Sequence, residues 1–183
     1  SMDFGKHLFV IQQAQGDPAM LALTTVDLAY PDLPDDKIIP LKETLKAAAI
    51  THWCDETILA ALLQITQEES AGRLAQLRGL SVVETFPARG NSAVNVHETS
   101  RLALRKRLVK EDQSYFRMLS GRAAAYFADD FIPSGHIEWI YHVLCGEPEP
   151  GAKELKKLYR AWTSTAHHED VYALALALRE LED

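Results

Sequence analysis

Thr66–His97 read TQEESAGRLAQLRGLSVVETFPARGNSAVNVH, and the order of elements in this stretch decides the fold. It opens on Thr66-Gln67-Glu68-Glu69, the spacing of a capping box. The Thr66 hydroxyl can accept the Glu69 amide hydrogen while the Glu69 carboxylate reaches back to the Thr66 N–H. A helix therefore starts here, and the pattern predicts its end near Arg78-Gly79. Leu80–Phe86 is rich in β-branched residues and reads as a strand. Pro87–Asn91 supplies a turn, and Ser92–His97 alternates as a second strand.

Two more helices are predicted upstream. One begins at Pro40 and runs to about Ile50; the other is capped by Asp55 and covers Glu56–Ile65. Three helices followed by a hairpin is the order of a winged helix. Tyr30–Pro40, with three prolines and three aspartates, reads as the loop before it. Further upstream a short helix is expected over Phe4–Gln15. A second follows Asp17-Pro18, an N-cap followed by proline at the first helical position, and carries Met20, Leu21, Leu23 and Leu28.

Downstream everything reads helical. Thr99–Lys110 is one helix. Gln113–Ala128 is another, with Tyr115, Leu119, Ala123 and Tyr126 on one stripe and Phe116 and Phe127 beside it. Pro133-Ser134-Gly135 breaks it, His136–Cys145 follows, and Gly146–Gly151 reads as a linker. Ala152–Trp162 and His168–Leu181 form a last pair. The helix spacing suggests a period of about 34 residues, as in tetratricopeptide repeats, without their residue signature. The expected fold is mostly α, in three parts: a helical pair over 1–35, a winged helix over 36–110 and helical hairpins over 111–183.

Composition sets the outer limits. The 183 residues are 47% hydrophobic and 25% charged, which excludes a disordered chain, a collagen-like chain and a disulfide scaffold. No apolar run approaches the ~18 residues that span a bilayer. The net charge of −7 speaks against general nucleic-acid binding while leaving room for a local basic patch. Cys54 and Cys145 form no CxxC, and the start has no apolar leader, so a reducing, cytoplasmic setting is expected. Ser1 before Met2 reads as a cloning scar, so the chain is expected to be a piece of a longer protein.

Most catalytic signatures are missing. The sequence has no GxxxxGK[ST], GxSxG, HExxH or GxGxxG. Asp35-Asp36 and Asp129-Asp130 read as loop acids or caps. His136, Glu138, His142 and Cys145 share one short helix. Three of them at ligand spacing would be needed for a metal, and an amphipathic helix packing Trp139, Ile140 and Val143 accounts for the pattern without one. His167-His168 opens the last helix and reads as exposed.

His97 stands apart because it ends the second strand and heads a helix. It is either a partly buried histidine bonded to backbone at a strand–helix corner, or a donor that meets an anion at the helix N-terminus. The helix after it carries Arg101, Arg105, Lys106, Arg107 and Lys110. These cations either contact phosphate or a partner, or form a solvated face, since Leu102, Leu104, Leu108 and Val109 interleave with them. The helix that would read DNA has Glu68 and Glu69 at its start and only Arg73 and Arg78 as cations, which disfavours phosphate.

The stretches LKETLKAAAITHWCDETILAALL, EESAGRLAQLRGLSVVETF and VNVHETSRLALRKRL, in this order, resemble the winged-helix regulatory region of STAND-type signalling ATPases, the NB-ARC and NACHT relatives. In that group a Met-His-Asp motif ends the hairpin, and its histidine contacts the nucleotide diphosphate in the closed state. Val96-His97-Glu98 occupies the matching position with both flanks changed. Gly16-Asp17-Pro18 resembles the lid's Gly-x-Pro motif, whose proline packs on adenine. RAAAYF (Arg122–Phe127) and YHVL (Tyr141–Leu144) resemble the opening of the helical array that often follows. The resemblance spans roughly residues 4–146 and implies ATP or ADP contacts by His97 and Pro18 in a longer parent, with no cofactor held by this chain alone.

The expectation is a non-catalytic regulatory and protein-interaction fragment that couples nucleotide state to conformation. Its partners would be proteins and the missing nucleotide-binding domain, with neither nucleic acid nor membrane among them and the oligomeric state open. The alternative is a winged-helix transcription regulator that binds duplex DNA through the Arg101–Lys110 cluster, including Arg101, Arg105, Lys106 and Arg107.

Overall fold

The computed structural model describes residues 16–182. The helix expected over Phe4–Gln15 lies outside the described residues. Among the described residues the chain is mostly helical, with nine α-helices and one two-stranded antiparallel sheet. It divides into two compact units, one ending at Glu111 and the other beginning at Asp112.

The first unit opens with α1, Pro18–Ala29. Asp17 caps it: its Oδ1 accepts the Ala19 and Met20 amides, each at 3.0 Å, and Pro18 takes the first helical position, where no donor is needed. The buried face is made of small side chains, Ala19, Ala22 and Val26, while Met20 and Leu21 point to solvent. Helix α2, Asp35–Ala48, starts five residues earlier than the sequence suggests. Pro34 sets an extended N-cap, and Asp35 and Asp36 complement the positive end of the helix dipole. Pro40 lies inside this helix and forfeits one backbone bond. Its carbonyl is well used, accepting the Thr44 hydroxyl at 2.8 Å.

Helix α3 is Glu56–Leu63, capped by Asp55 Oδ1 on the Thr57 and Ile58 amides at 2.9 Å. It ends at Gln64 in the left-handed region, φ 55°. Helix α4 is Gln67–Leu77. Half of the capping box forms as expected, with the Thr66 hydroxyl accepting the Glu69 amide at 3.2 Å. The Glu69 carboxylate faces forward and takes the Arg73 guanidinium at 2.6 Å. Helices α2, α3 and α4 pack on one another and bury Leu41, Leu45, Ile58, Leu59, Leu62, Leu74 and Leu77. Tyr30, at the end of α1, donates to the Gln76 carbonyl at 2.7 Å. A Cβ at Gly79 would stand 2.7 Å from that hydroxyl, so the glycine permits this approach besides ending the helix.

The hairpin pairs β1 (Val83–Thr85) with β2 (Val94–Val96), Val83 opposite Val96 and Thr85 opposite Val94. Each strand is shorter than the alternation suggests: the Leu80 and Val83 amides are spent on turn bonds to Leu77 and Leu80, and the Ala93 amide on one to Gly90. A single 3-10 turn, Pro87–Arg89, closes the loop, and Arg89 stacks over Trp53 with its guanidinium carbon 4.2 Å from the ring centroid. On its other side β2 meets Cys54, which exchanges both backbone bonds with Val94 at 2.7 and 2.8 Å. The hairpin is therefore fastened to the α2–α3 connection. Helix α5, Glu98–Glu111, leaves the hairpin and packs on α1 and α2.

The second unit contains α6 (Gln113–Phe127), α7 (Pro133–Gly146), α8 (Pro148–Ser164) and α9 (His168–Arg179). Helix α6 packs on α7, α7 on α8, and α9 on both α7 and α8. The inward stripe of α6 is Phe116, Leu119, Ser120, Ala123 and Phe127, and the expected Tyr126 is 39% exposed. Pro133 begins α7 instead of breaking α6. The expected Gly146–Gly151 linker shrinks to Glu147, since Pro148 and Pro150 fall in the first turn, where a missing N–H costs nothing. A Cβ at Gly151 would lie 2.9 Å from the Leu144 backbone, so this glycine lets α8 turn back tightly on α7. Ile137, Ile140, Leu158 and Leu174 form the core, with Leu144, Leu155 and Trp162 against it. No described helix is long and apolar enough to cross a membrane.

Candidate functional site

His97 caps the exit of the hairpin. Its amide donates to the Val82 carbonyl at 2.9 Å, and its carbonyl accepts the Arg101 amide at 2.8 Å, the first bond of α5. The backbone is thus fixed from both sides, while the imidazole is 46% exposed. The backbone bonds of a corner are present and the ring is about half exposed, which fits both sequence readings. The ring Nε2 lies 3.6 Å from Glu84 Oε2. The strand register explains the neighbour, because Glu84 faces Asn95 across the ladder, one pair from the His97 corner. Asn95 Nδ2 donates to the other Glu84 oxygen at 3.0 Å. Glu84 and Asn95 were not among the expected site residues; only the register, which a single sequence leaves open, brings them beside His97.

An anion at this corner would meet a ring donor and the first-turn amides of α5, which have no partner within the helix. It would also meet Glu84, whose side chain is 57% exposed and repels a phosphate. Occupancy by phosphate therefore requires Glu84 to swing out.

Pro18 is exposed, at the start of α1. Its neighbour Asp17 reaches Arg107 at 3.4 Å. Arg107 is ten residues beyond His97, about 15 Å along the axis of α5 at 1.5 Å per residue. Pro18 and His97 hence lie toward separate ends of one helix and do not converge on a point.

The basic helix does not present one cationic face. Arg101 and Arg105 are 4% and 6% exposed and share the inward stripe of α5 with Leu104 and Leu108. Spacings of three and four residues place all four side chains on one side. Arg105 Nη1 donates to the Ile50 carbonyl at 2.6 Å, tying α5 to the end of α2. Arg107 pairs with Glu111 at 2.9 Å as well as with Asp17. Lys106 and Lys110 are the members left exposed. Arg73 of α4 and Arg78 at its C-cap are also committed: Arg73 Nη1 donates to the Thr44 hydroxyl at 3.1 Å and Arg78 to the Ser92 carbonyl at 2.5 Å.

In the second unit, Glu138 and His142 form a buried pair at 3.2 Å, and the His142 ring stacks on Phe127. Tyr141, fully buried, donates to Glu180 at 2.9 Å. His136 packs edge-on against Trp139 and Trp162. Asp130 Oδ1 accepts the Ile132 amide at 3.2 Å, a loop-stabilising bond, and His167 pairs with Asp170 at 2.9 Å. Among the described residues no group of three His, Cys, Asp or Glu side chains is arranged to hold a metal. Both cysteines are free thiols. Burial, and secondarily the Asp55 charge, pushes the Cys54 thiol far up, so it stays protonated and unreactive.

No protein-family model, curated protein or solved structure matches this chain.

Proposed function

We propose that this chain is the regulatory and protein-interaction portion of a STAND-type signalling NTPase. On this reading 36–110 is a winged helix, 1–35 the remnant of a helical lid, and 111–183 the start of a tetratricopeptide-like array. The observation that carries the reading is His97: a half-exposed histidine, rigidly held, at the exit of a hairpin that follows three packed helices. The Cys54–Val94 bridge supports it, because hairpin and helices then move as one body when the contact is lost. The resemblance gives Pro18 the adenine end of a nucleotide and His97 the diphosphate end.

The mechanism is conformational. Nucleotide diphosphate on His97 holds the closed state, and its loss frees the winged helix to swing. Glu84 takes over the ring when phosphate leaves, which stabilises the open corner. A winged-helix transcription regulator is the weaker reading. The exposed start of α4 carries Glu68 and Glu69, and Arg101, Arg105, Arg73 and Arg78 are already engaged inside the fold or on its carbonyls.

The test is ADP retention by the longer protein carrying His97→Ala. A charge-assisted hydrogen bond contributes about 1.5–3 kcal/mol, so retention is expected to fall roughly 10- to 150-fold. Normal retention would overturn the reading. The chain alone is expected to bind neither ATP nor ADP tightly, and low-micromolar binding in a calorimetric titration would also count against it.

A further inference from the structure

Helices α8 and α9 pack side by side and leave an open apolar groove of about 470 Å³. Leu155 and Tyr159 of α8 and Val171, Leu174 and Leu178 of α9 form its walls, with Lys156 at its edge. On both helices these residues recur every three or four positions, the spacing of a face that receives another helix. Tyr159 is 52% exposed, which is unusual for an aromatic ring on such a face.

The charge beside the groove has a sign. Lys153, Lys156 and Arg160 stand at i, i+3 and i+7 and form one exposed stripe along the α8 edge. None of the three makes an ion pair among the described residues. Glu154 holds Lys157 at 2.7 Å and Asp170 holds His167 at 2.9 Å, while Glu149, one turn before Lys153, makes no ion pair among the described residues. Three like charges on one stripe repel one another, in a chain whose net charge is −7. An acidic partner removes that repulsion.

We infer that this groove docks an amphipathic helix of another polypeptide that carries carboxylates along one flank. Its apolar residues enter between α8 and α9, and its carboxylates meet Lys153, Lys156 and Arg160. The charges set orientation and association rate, while the apolar face supplies most of the binding. The inference rests on the interaction half of the function proposed above and is independent of the nucleotide half.

The experiment uses the full chain and a fluorescent designed helix of about 20 residues, with leucines at i, i+3, i+4 and i+7 and glutamates on one flank. A control probe keeps the leucines and carries lysines instead. Anisotropy is expected to show saturable binding of the glutamate probe, at least about tenfold tighter than the lysine probe. The difference should shrink as salt rises from about 0.05 to 0.3 M, where the screening length falls below the probe's reach. The triple variant Lys153→Glu, Lys156→Glu, Arg160→Glu is expected to reverse the preference. Ala175→Glu, at an exposed groove position, is expected to abolish binding of the glutamate probe while leaving the circular dichroism spectrum unchanged. Equal binding of both probes, absence of saturation, or binding that survives Ala175→Glu would overturn the inference. So would a concentration-dependent dimer in sedimentation that Ala175→Glu dissolves, because the occupant would then be a second copy. Probe binding by this chain together with normal ADP retention in the His97→Ala parent would keep this inference and remove the nucleotide reading.

Discussion

Two basic helices, α5 and α8, have similar compositions and opposite fates. Helix α5 carries five cations among fourteen residues, and two of them, Arg101 and Arg105, are buried. Helix α8 carries four, and Lys153, Lys156 and Arg160 line one exposed edge. Helical phase makes the difference. In α5 the arginines fall in step with Leu104 and Leu108; in α8 the inward stripe is Gly151, Leu155, Leu158 and Trp162, and the cations fall out of step with it. A cluster of basic residues in sequence is therefore a surface only when its phase differs from that of the leucines.

The largest effects are expected where both helices are alike, in their leucines. Leu104→Ala in α5 and Leu158→Ala in α8 each remove a buried side chain and should cost about 2–5 kcal/mol in urea unfolding followed by circular dichroism. A loss below 1 kcal/mol at either site would mean that the inward stripe has been assigned to the wrong phase.

Next in size comes the contrast itself. Arg105→Ala breaks the bond to the Ile50 carbonyl and empties packed space, and about 1.5–3 kcal/mol is expected. Lys156→Ala and Lys106→Ala change exposed side chains and should stay within about 0.5 kcal/mol of the wild type. Equal losses for Arg105→Ala and Lys106→Ala would dissolve the distinction between the helices.

Much of this architecture was legible. The Asp17, Asp55 and Thr66 caps act locally, through bonds to amides two or three residues on, so sequence spacing captures them. Pro34, Pro133 and Pro148 misled the boundaries because a proline signals either a break or a first turn, and context decides. The Glu84–His97 pair and the Cys54 bridge depend on strand register, and the Arg105–Ile50 bond joins residues fifty-five positions apart. None of these has a local signature. The groove between α8 and α9 follows from how two helices pack, which periodicity alone does not fix.

A smaller effect concerns Cys54. The Cys54 thiol is fully buried and its proton is held far above the ordinary value of about 9. The unfolded chain loses that proton as pH rises past about 9, while the folded chain keeps it. The unfolded state then binds fewer protons, so stability falls with rising pH at up to about 1.4 kcal/mol per unit. Comparing the chain with Cys54→Ala between pH 8 and about 10.5 isolates this slope; identical slopes would place Cys54 in contact with water. Below pH 8 the two slopes should coincide.

The smallest effect on stability is the most informative about function. His97 and Glu84 are 46% and 57% exposed and 3.6 Å apart, and exposed pairs of this kind contribute about 0–1 kcal/mol. His97→Ala and Glu84→Gln should each shift the melting temperature of this chain by no more than about 2–4 °C. The folded backbone at this corner is held by Val82 and Arg101, and neither bond involves the substituted side chains. In the NTPase proposed above, the two substitutions are expected to act in opposite directions. Removing the imidazole takes away a donor to phosphate, so ADP retention falls. Neutralising Glu84 removes both the repulsion of phosphate and the competing partner of the ring, so ADP retention rises. A purely structural corner has no means of producing opposite signs, since either change would only loosen it. Parallel losses of retention, or a melting shift far beyond this range, would return His97 to the role of an ordinary strand–helix junction and leave the groove of the second unit as the remaining candidate for function among the described residues.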